Sequence, residues 1–218
     1  MNDRKREPAI NPVIELMRGV AALMVVYAHY WKMAGIEAGL TGFSYTGVDL
    51  FFVLSGFVFA PYFFGQPLQT APFFIRRFFR IYPLYLVGVV LYWLLKQGWI
   101  EGSWSLLAKH LLFLHTWQNY QIAYALNPAF WSLPPEVEFY LLLPLIARFV
   151  QGMRSVSLLF IAAIMLRLGL DWLSPPEQGV VNQSLILSFH LPGLLSEFLC
   201  GAIAWKIVQS SMTTALRT

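Results

Sequence analysis

Long apolar runs separated by short polar connectors make up most of this chain. A membrane-spanning helix needs about 20 mostly apolar residues. Candidate runs lie at 12–31, 47–64, 81–95, 104–117, 137–150, 156–173 and 185–208. The fourth run is short and contains Lys109, His110 and His115, so we expect it to cross the bilayer only in part. The pattern predicts an all-α, polytopic transmembrane helix bundle of about six or seven spans.

Turn residues are concentrated between these runs, at 39–42, 66–72, 127–135 and 174–179. The sequence contains no repeat and no appended soluble domain. It therefore divides into a cytoplasmic N-terminal tail at 1–11, one transmembrane domain at 12–208 and a C-terminal tail at 209–218. We do not expect a cleaved signal peptide, because the first run is long enough to span and lacks a clear small-residue cleavage site.

Composition supports the membrane prediction. Hydrophobic residues make up 58% of the 218 residues, and charged residues make up only 12%, about half the usual soluble fraction. The net charge of +4 does not indicate a nucleic-acid partner, because the basic residues lie in short clusters at the ends of apolar runs. A single cysteine, Cys200, excludes an intrachain disulfide and a Cys-rich metal site, and no metal is expected.

The basic clusters also predict orientation, because cytoplasmic loops are rich in Lys and Arg. The cluster at 4–6 places the N-terminus in the cytoplasm, and the cluster at 76–80 fits inside as well. Arg148 and Arg154 should also be inside, yet simple alternation of all seven runs puts them outside. We attribute this conflict to the fourth run or to a re-entrant stretch at 127–135, which is tolerated where protein or a water-filled cavity covers it.

Arg18 and His29 lie inside the first run, eleven residues apart. That spacing is close to three helical turns, so both side chains share a face and lie about 16 Å apart along the axis. A long ligand bound at Arg18 could place its far end at His29. The alternative is that Arg18 reaches the lipid headgroups and His29 forms a hydrogen bond within the bundle.

Asp49 is a lone acid at the outer end of the second run, at a depth similar to that of His29. Its carboxylate could hold an imidazole in one tautomer, or it could simply cap the helix. Arg77 and Arg80 are three residues apart and neighbours on a helix. Their guanidinium groups suit phosphate oxygens, although an anchor at the membrane surface is the alternative.

The segment WSLPPEVEFYLLLPL combines a helix start at Pro134 and Pro135 with two acids, Glu136 and Glu138. The acids fall in the first turn, where the helix dipole favours negative charge. Capping of the helix start explains both acids, and the alternative is that they meet a polar partner at the membrane boundary. We expect Glu197 in the last run to be an interhelical partner rather than a catalyst.

Taken together, four segments resemble the acyltransferase 3 family of multi-span membrane acyltransferases. They are RGVAALMVVYAH, GVDLFFVLSGFV, RRFFRIYPLY and WSLPPEVEFYLLLPL, in order over residues 11–146. The later stretch LPGLLSEFLCGAIAW is similar to the family's EF-x-x-G segment. The resemblance implies transfer of an acyl group, usually acetyl, from cytoplasmic acyl-CoA to a hydroxyl of a carbohydrate or cell-envelope glycan, in a multi-pass protein of the bacterial inner membrane.

The resemblance also implies roles for individual residues. Arg18 and His29 match the family's essential Arg and His, and Arg77 and Arg80 match its CoA-binding R-x-x-R. Glu136 matches the acid of its WSL-x-x-E motif. On this basis His29 is expected to act as general base, or less favourably as acyl carrier, and Asp49 or Glu136 to orient His29 or stabilise its charge.

The chain departs from the family pattern in three ways. Pro134 and Pro135 replace a usual Ser-Val, and Val137 replaces an acid or Gln. The family usually has more spans, so the resemblance implies that the last ones are lacking. The chain would then be a short member, a fragment, or a protein whose bundle is closed by a partner chain or another copy.

Two other functional classes stay open at this point. A transporter or flippase also needs ionisable residues inside the membrane, although it more often shows paired, interrupted helices. A catalytically inactive membrane scaffold is the third class. Transfer or hydrolysis of the acyl group of acetyl-CoA by the purified protein distinguishes the enzyme from both.

Overall fold

The computed structural model describes residues 11–31, 35, 38–96, 103–118, 120–174 and 183–215. Within these ranges the secondary structure is helical and contains no strand, which confirms the all-α prediction. The α-helices are α1 (Pro12–Tyr30), α2 (Thr41–Ser44), α3 (Thr46–Phe59), α4 (Thr70–Lys96), α5 (Ser103–Leu111), α6 (Tyr120–Ala123), α7 (Leu133–Phe149), α8 (Gly152–Leu173), α9 (Gln183–Ser188) and α10 (Leu191–Ala215).

Several of these helices have the dimensions of membrane spans. Among the described residues, five helical segments are long and apolar enough to cross: Pro12–Tyr30, Gly42–Phe64, Thr70–Lys96, Gly152–Leu173 and Ile186–Ser211. The fifth predicted run forms α7, whose 17 residues extend about 25 Å, slightly less than a hydrocarbon core of about 30 Å. The structure therefore matches a polytopic helix bundle.

The third and fourth predicted runs differ from the observed helices. The third begins at Thr70 instead of residue 81, because α4 continues as one 27-residue helix through the arginine cluster and Pro83. Charged side chains end an apolar run without ending a helix, so the sequence pattern placed this boundary too late. The fourth run forms only the nine-residue α5, about 14 Å long, which is too short to span a bilayer.

Close backbone contact joins α3 and α10 at the centre of the molecule. A Cβ atom added at Gly56 of α3 would overlap the backbone of Phe198, and one added at Gly201 of α10 would overlap the backbone of Val53. Two glycines thus let the helices approach without side chains between them. Phe52 and Phe139 pack against Phe198 beside this crossing, with ring centroids 5.0 and 4.1 Å away.

The outer surface of the bundle is strongly apolar. Leu84 on α4 is 79% exposed and Trp172 on α8 is 83% exposed. Other large apolar side chains, including Leu16, Leu23 and Leu158, are exposed along the helices. A water-soluble protein rarely exposes contiguous apolar surface of this extent, whereas lipid tails cover it favourably. The chain is a multi-pass membrane protein by this criterion.

Candidate active site

A cavity with a volume of about 710 Å³ lies where the C-terminal end of α1 meets α3, α8 and α10. We call it the His29 cavity. Its walls carry one histidine, one arginine and two acids: His29, Asp49, Arg167 and Glu197. Aromatic side chains also line it, namely Trp31, Tyr45, Tyr124, Trp131 and Phe189. A concave site with a few convergent polar groups among apolar walls is typical of a ligand pocket.

His29 is held in a defined orientation in this cavity. Its Nδ1 lies 2.8 Å from the backbone oxygen of Val25, one turn earlier in α1. A carbonyl oxygen can only accept, so Nδ1 donates this hydrogen bond and carries the proton. The ring also lies edge-on to Tyr45, with ring centroids 5.9 Å apart. In the neutral imidazole, Nε2 therefore keeps its lone pair and can accept a proton.

Asp49 lies in the first turn of α3 and lines the same cavity. The structure thus brings His29 and Asp49 to one site, as their sequence positions in antiparallel runs suggested. Among the described residues no hydrogen bond joins the two side chains, and the tautomer of His29 is fixed by Val25 instead. Asp49 therefore contributes an acidic group to the cavity wall but does not orient the His29 ring through a hydrogen bond.

Sequence reasoning missed Arg167 as a site residue and treated Glu197 as an interhelical partner. Arg167 is held by Asp171, with Nε to Oδ2 at 3.0 Å, and its Nη1 donates to the backbone oxygens of Ser188 and Gly193 at 3.1 and 3.4 Å. The Oε2 atom of Glu197 is buried and has no hydrogen-bond partner among the described residues. The available signal was an ionisable residue inside an apolar helix, which usually faces a cavity.

Three of the other predicted residues line a second cavity, of about 310 Å³, which we call the Arg18 pocket. It contains Arg18 of α1, Arg80 of α4 and Glu136 of α7. Arg18 forms an ion pair with Glu15 at 2.7 Å. Glu136 accepts hydrogen bonds from Ser55, at 3.2 Å, and from the hydroxyl of Tyr140.

Five of the six predicted residues therefore fall into two groups, and Arg77 lies in neither. His29 and Asp49 line one cavity, whereas Glu136 lies with Arg18 and Arg80 in the other. Glu136 is not among the residues that line the His29 cavity. Its Oε1 accepts the hydrogen bonds from Ser55 and Tyr140, and no described contact joins Glu136 to the His29 ring.

Arg77 occupies a different environment from Arg80, although both lie on α4. Its guanidinium carbon is 5.1 Å from the ring centroid of Phe59, 6.0 Å from that of Phe73 and 5.9 Å from that of Tyr140. Its Nε and Nη1 are buried and have no hydrogen-bond partner among the described residues. Aromatic faces stabilise a cation, but these donors still need acceptors.

An apolar cleft of about 320 Å³ borders Arg77 on the side of α7. Its walls come from α4, α7 and the turn after α5, and include Phe78, Tyr82, Phe113 and Leu141. Ile81 lines both this cleft and the Arg18 pocket, so the two cavities adjoin at this residue of α4. The predicted arginine pair thus projects toward two cavities instead of one.

Glu138 has a structural role that differs from the cap expected at the start of α7. Its Oε1 lies 2.5 Å from Nδ1 of His190, and its Oε2 accepts from the backbone nitrogen of Leu191 at 2.9 Å. Leu191 is the first residue of α10, so Glu138 caps that helix from a neighbouring one. Trp117 packs on the buried ring of His190, with ring centroids 3.9 Å apart.

Two further buried histidines fix the segment after α5. The rings of His110 and His115 stack with centroids 4.2 Å apart. Nδ1 of His110 donates to the backbone oxygen of Leu106 at 2.9 Å, and Nε2 of His115 donates to that of Phe130 at 3.3 Å. Burial lowers the pKa of His110, and burial together with the adjacent His110 lowers the pKa of His115 to about 4. Both rings are therefore neutral at neutral pH. No group of three or more metal-binding side chains occurs in the described part of the chain.

Comparison with known proteins decides the family. A family model described as an acyltransferase domain matches residues 11–214. This chain belongs to the acyltransferase 3 family. The match covers α1 to α10 nearly completely, and so it includes the three cavities described above. No solved structure matches the chain significantly.

Curated relatives agree with this membership. The acyltransferase MdmB of Streptomyces mycarofaciens is 34% identical over 155 residues, covering 64% of this chain and 40% of the relative. A putative acetyltransferase, ORF330, of Acidianus two-tailed virus is 28% identical over 205 residues, covering 91% of this chain and 57% of the relative. Protein 2 in the picA locus of Rhizobium radiobacter is 42% identical over 84 residues, covering 36% and 42%. The chain spans about half the length of these relatives.

Proposed function

We propose that the protein is a membrane O-acyltransferase that moves an acyl group, in the simplest case acetyl, from acyl-CoA to a hydroxyl of a glycan in the bacterial cell envelope. The observation that carries this proposal is the orientation of His29, whose Nδ1 donates to the backbone oxygen of Val25 and whose Nε2 has no hydrogen bond among the described residues. Family membership and the relatives named as acyltransferases favour an enzyme over a transporter or an inactive scaffold.

The donor is assigned to the cytoplasmic side. Nε and Nη1 of Arg77 are buried without acceptors among the described residues, and Arg18 and Arg80 share a pocket. Three guanidinium groups are therefore proposed to bind the CoA phosphates and line the path beyond them. Arg18 and His29 are eleven residues apart on α1, about 16 Å along the axis. An extended donor bound at the arginines can therefore present its thioester at the His29 cavity. No metal is assigned to this reaction.

The chemistry proceeds by general base catalysis. Nε2 of His29 takes the proton from the acceptor hydroxyl as its oxygen attacks the thioester carbonyl carbon. The C–S bond then breaks, the CoA thiolate leaves, and it receives the proton that His29 holds. The products are the acyl ester and CoA thiol. Asp49 stabilises the positive charge that forms on the imidazole.

The orientation assigned here places the N-terminus in the cytoplasm and lets α7 cross while α5 does not. Arg148 and Arg154, on either side of the short connection between α7 and α8, then lie inside. The C-terminal end of α1 faces outward, so the His29 cavity opens toward the acceptor side. The donor arginines remain nearer the cytoplasm, which supports transfer across the bilayer.

Replacement of His29 by glutamine tests the proposal. Glutamine can preserve a hydrogen bond but cannot act as base, so we expect the rate of acyl transfer to fall roughly 100- to 10,000-fold. Release of CoA thiol from acetyl-CoA by purified protein in detergent is the measurement, at matched protein amount and with CoA binding confirmed intact. A near-normal rate in His29→Gln removes this residue from the chemistry and reopens the transporter alternative.

A further inference from the structure

The His29 cavity contains more polar groups than the transfer step uses. His29 and Asp49 serve the proposed reaction, whereas Arg167 and Glu197, which line the same cavity, have no role in it. These two residues come from α8 and α10, helices that carry none of the residues with an assigned role. Ionisable side chains at this depth are costly and are usually retained for a partner in the cavity.

Arg167 is fixed in place before any ligand arrives. Asp171, one turn later on α8, binds Nε, and the backbone oxygens of Ser188 and Gly193 bind Nη1. These bonds anchor the guanidinium group against the start of α10 while it lines the cavity. Because the fork is planar and held on one edge, the direction of its remaining donors is set by the protein.

The two acids of the cavity form no ion pair among the described residues. Neither Asp49 nor Glu197 lies within ion-pair distance of Arg167, whose ion pair is with Asp171. Oε2 of Glu197 is buried and has no hydrogen-bond partner in the described part of the chain. The cavity thus offers carboxyl oxygens that can accept from the O–H groups of a ligand, and an arginine that can donate in return.

This charge balance selects among acceptors. Two carboxyl groups line the cavity with a single arginine, and that arginine is already paired with Asp171, so the cavity offers an anionic ligand no unpaired cation among the described residues. A polyhydroxylated ring suits it better, because each hydroxyl both donates and accepts. Aromatic walls at Trp131 and Phe189, whose ring centroids are 5.5 Å apart at an angle of 89°, supply flat apolar surface for such a ring.

We infer that Arg167 and Glu197 bind the hydroxyls next to the one that is acylated, and so select an uncharged, polyhydroxylated ring as acceptor. This inference rests on the proposed function, because it names residues and a charge class for the acceptor of that reaction. Arg167 donates to one neighbouring hydroxyl and Glu197 accepts from another, which holds the reacting hydroxyl at Nε2 of His29.

The experiment compares acceptors that differ in hydroxyl number or in charge. Methyl glucoside, galactoside and mannoside are the neutral probes, and tetrahydropyran-2-methanol keeps the ring and one hydroxyl. Methyl glucuronoside and its neutral methyl ester carry the same hydroxyls and differ in charge alone. Release of CoA thiol and formation of the acyl ester give kcat and KM for each. We expect the best neutral glycoside to exceed tetrahydropyran-2-methanol, and the methyl ester to exceed the glucuronoside, in kcat/KM by roughly 10- to 100-fold.

The variants Glu197→Gln and Arg167→Lys then test whether these two residues cause the discrimination between acceptors. Each should raise the KM for the glycoside roughly 10- to 100-fold and leave the KM for acetyl-CoA and the rate with tetrahydropyran-2-methanol unchanged. Glu197→Gln should also reduce the discrimination against the glucuronoside. Arg154→Lys, on the same helix but outside the cavity, is the matched control, and equal thermal midpoints in detergent confirm intact folding.

Several outcomes overturn the inference. An equal loss with glycoside and tetrahydropyran-2-methanol shows a structural role, and a lower kcat at unchanged glycoside KM places the residues in the chemistry instead. A wild type that uses tetrahydropyran-2-methanol or the glucuronoside as well as every neutral glycoside has no such selection. A wild type that acylates no probe while His29→Gln behaves identically overturns the proposed function and this inference together.

Discussion

Individual ionisable side chains inside the apolar helices lie beside cavities or buried polar groups. His29, Asp49, Arg167 and Glu197 line one cavity, although they come from four different helices. Hydrocarbon offers no hydrogen bonds, so a charged group facing lipid is far less stable than one facing a polar interior. This physical rule makes such residues good functional candidates from sequence, while their partners depend on packing.

Arg77 and Arg80 give a prediction at this scale. Replacing both by alanine should weaken acyl-CoA binding at least about 10-fold for each arginine, because a hydrogen bond to a charged group contributes roughly 1.5–3 kcal/mol. Replacement of both by lysine should cost less, since charge is kept although the planar fork is lost. Isothermal titration of CoA into the detergent-solubilised protein measures the affinity.

Arg76 provides the matched control for this experiment. It belongs to the same basic cluster but lines none of the three cavities described here. Arg76→Ala should therefore leave CoA affinity unchanged. Unchanged affinity in the double variant of Arg77 and Arg80 would show that these arginines only anchor α4 at the membrane surface.

Pairs of helices determine where these residues meet. Gly56 and Gly201 allow α3 and α10 to touch through their backbones, and Gly47 brings α3 close to α1 at Ala21 and Met24. The His29 cavity lies between helices whose separation these contacts set. In lipid, small residues promote such approaches because dispersion contacts, rather than hydrophobic burial, favour helix association.

Gly56→Ala tests the crossing of α3 and α10. The added methyl group has no space beside Phe198, so we expect a loss of stability of about 1–3 kcal/mol and a lower thermal midpoint in detergent. Gly169→Ala on α8 is the control, because a Cβ atom there meets nothing within 4 Å. Alanine in an open helical position should be neutral or slightly stabilising. Equal midpoints for the two variants would mean that α3 and α10 are farther apart than described.

The whole molecule combines an apolar exterior with polar cavities at two depths. In the proposed topology α5 does not cross, so α7 runs inward and the connection to α8 reaches the cytoplasm. This proposal removes the conflict that Arg148 and Arg154 create for simple alternation. It also separates the arginines proposed to bind the donor from the cavity proposed to bind the acceptor along the membrane normal.

Cysteine labelling tests this topology. In a background with Cys200 replaced by alanine, single cysteines at Gln118 and Gly152 should react from outside and from the cytoplasm, respectively. Cysteines at Leu40 and Gln66 provide outside and cytoplasmic references, because both topologies agree on them. If Gln118→Cys reacts from the cytoplasm and Gly152→Cys from outside, simple alternation holds and α5 crosses the membrane.

Much of the architecture could be predicted from the sequence. Apolar runs of sufficient length predicted the helices, because the backbone in lipid must satisfy its own hydrogen bonds. The same pattern misplaced the start of α4, since Arg76 and its neighbours interrupt hydrophobicity but not helical hydrogen bonding. The pattern also predicted that the short, charged run at 104–117 crosses the bilayer only in part, and the nine-residue α5 agrees with this prediction.

The sequence by itself therefore determined the membrane class, the helices and the family motifs that contain Arg18, His29 and Arg80. Only the tertiary structure decided that Glu136 lies with Arg18 and that Arg167 and Glu197 lie with His29. Periodicity describes one helix at a time, because it follows from local backbone geometry. Which helices meet, and at what depth, depends on long-range packing such as the glycine contact between α3 and α10, and that packing has no period in the sequence.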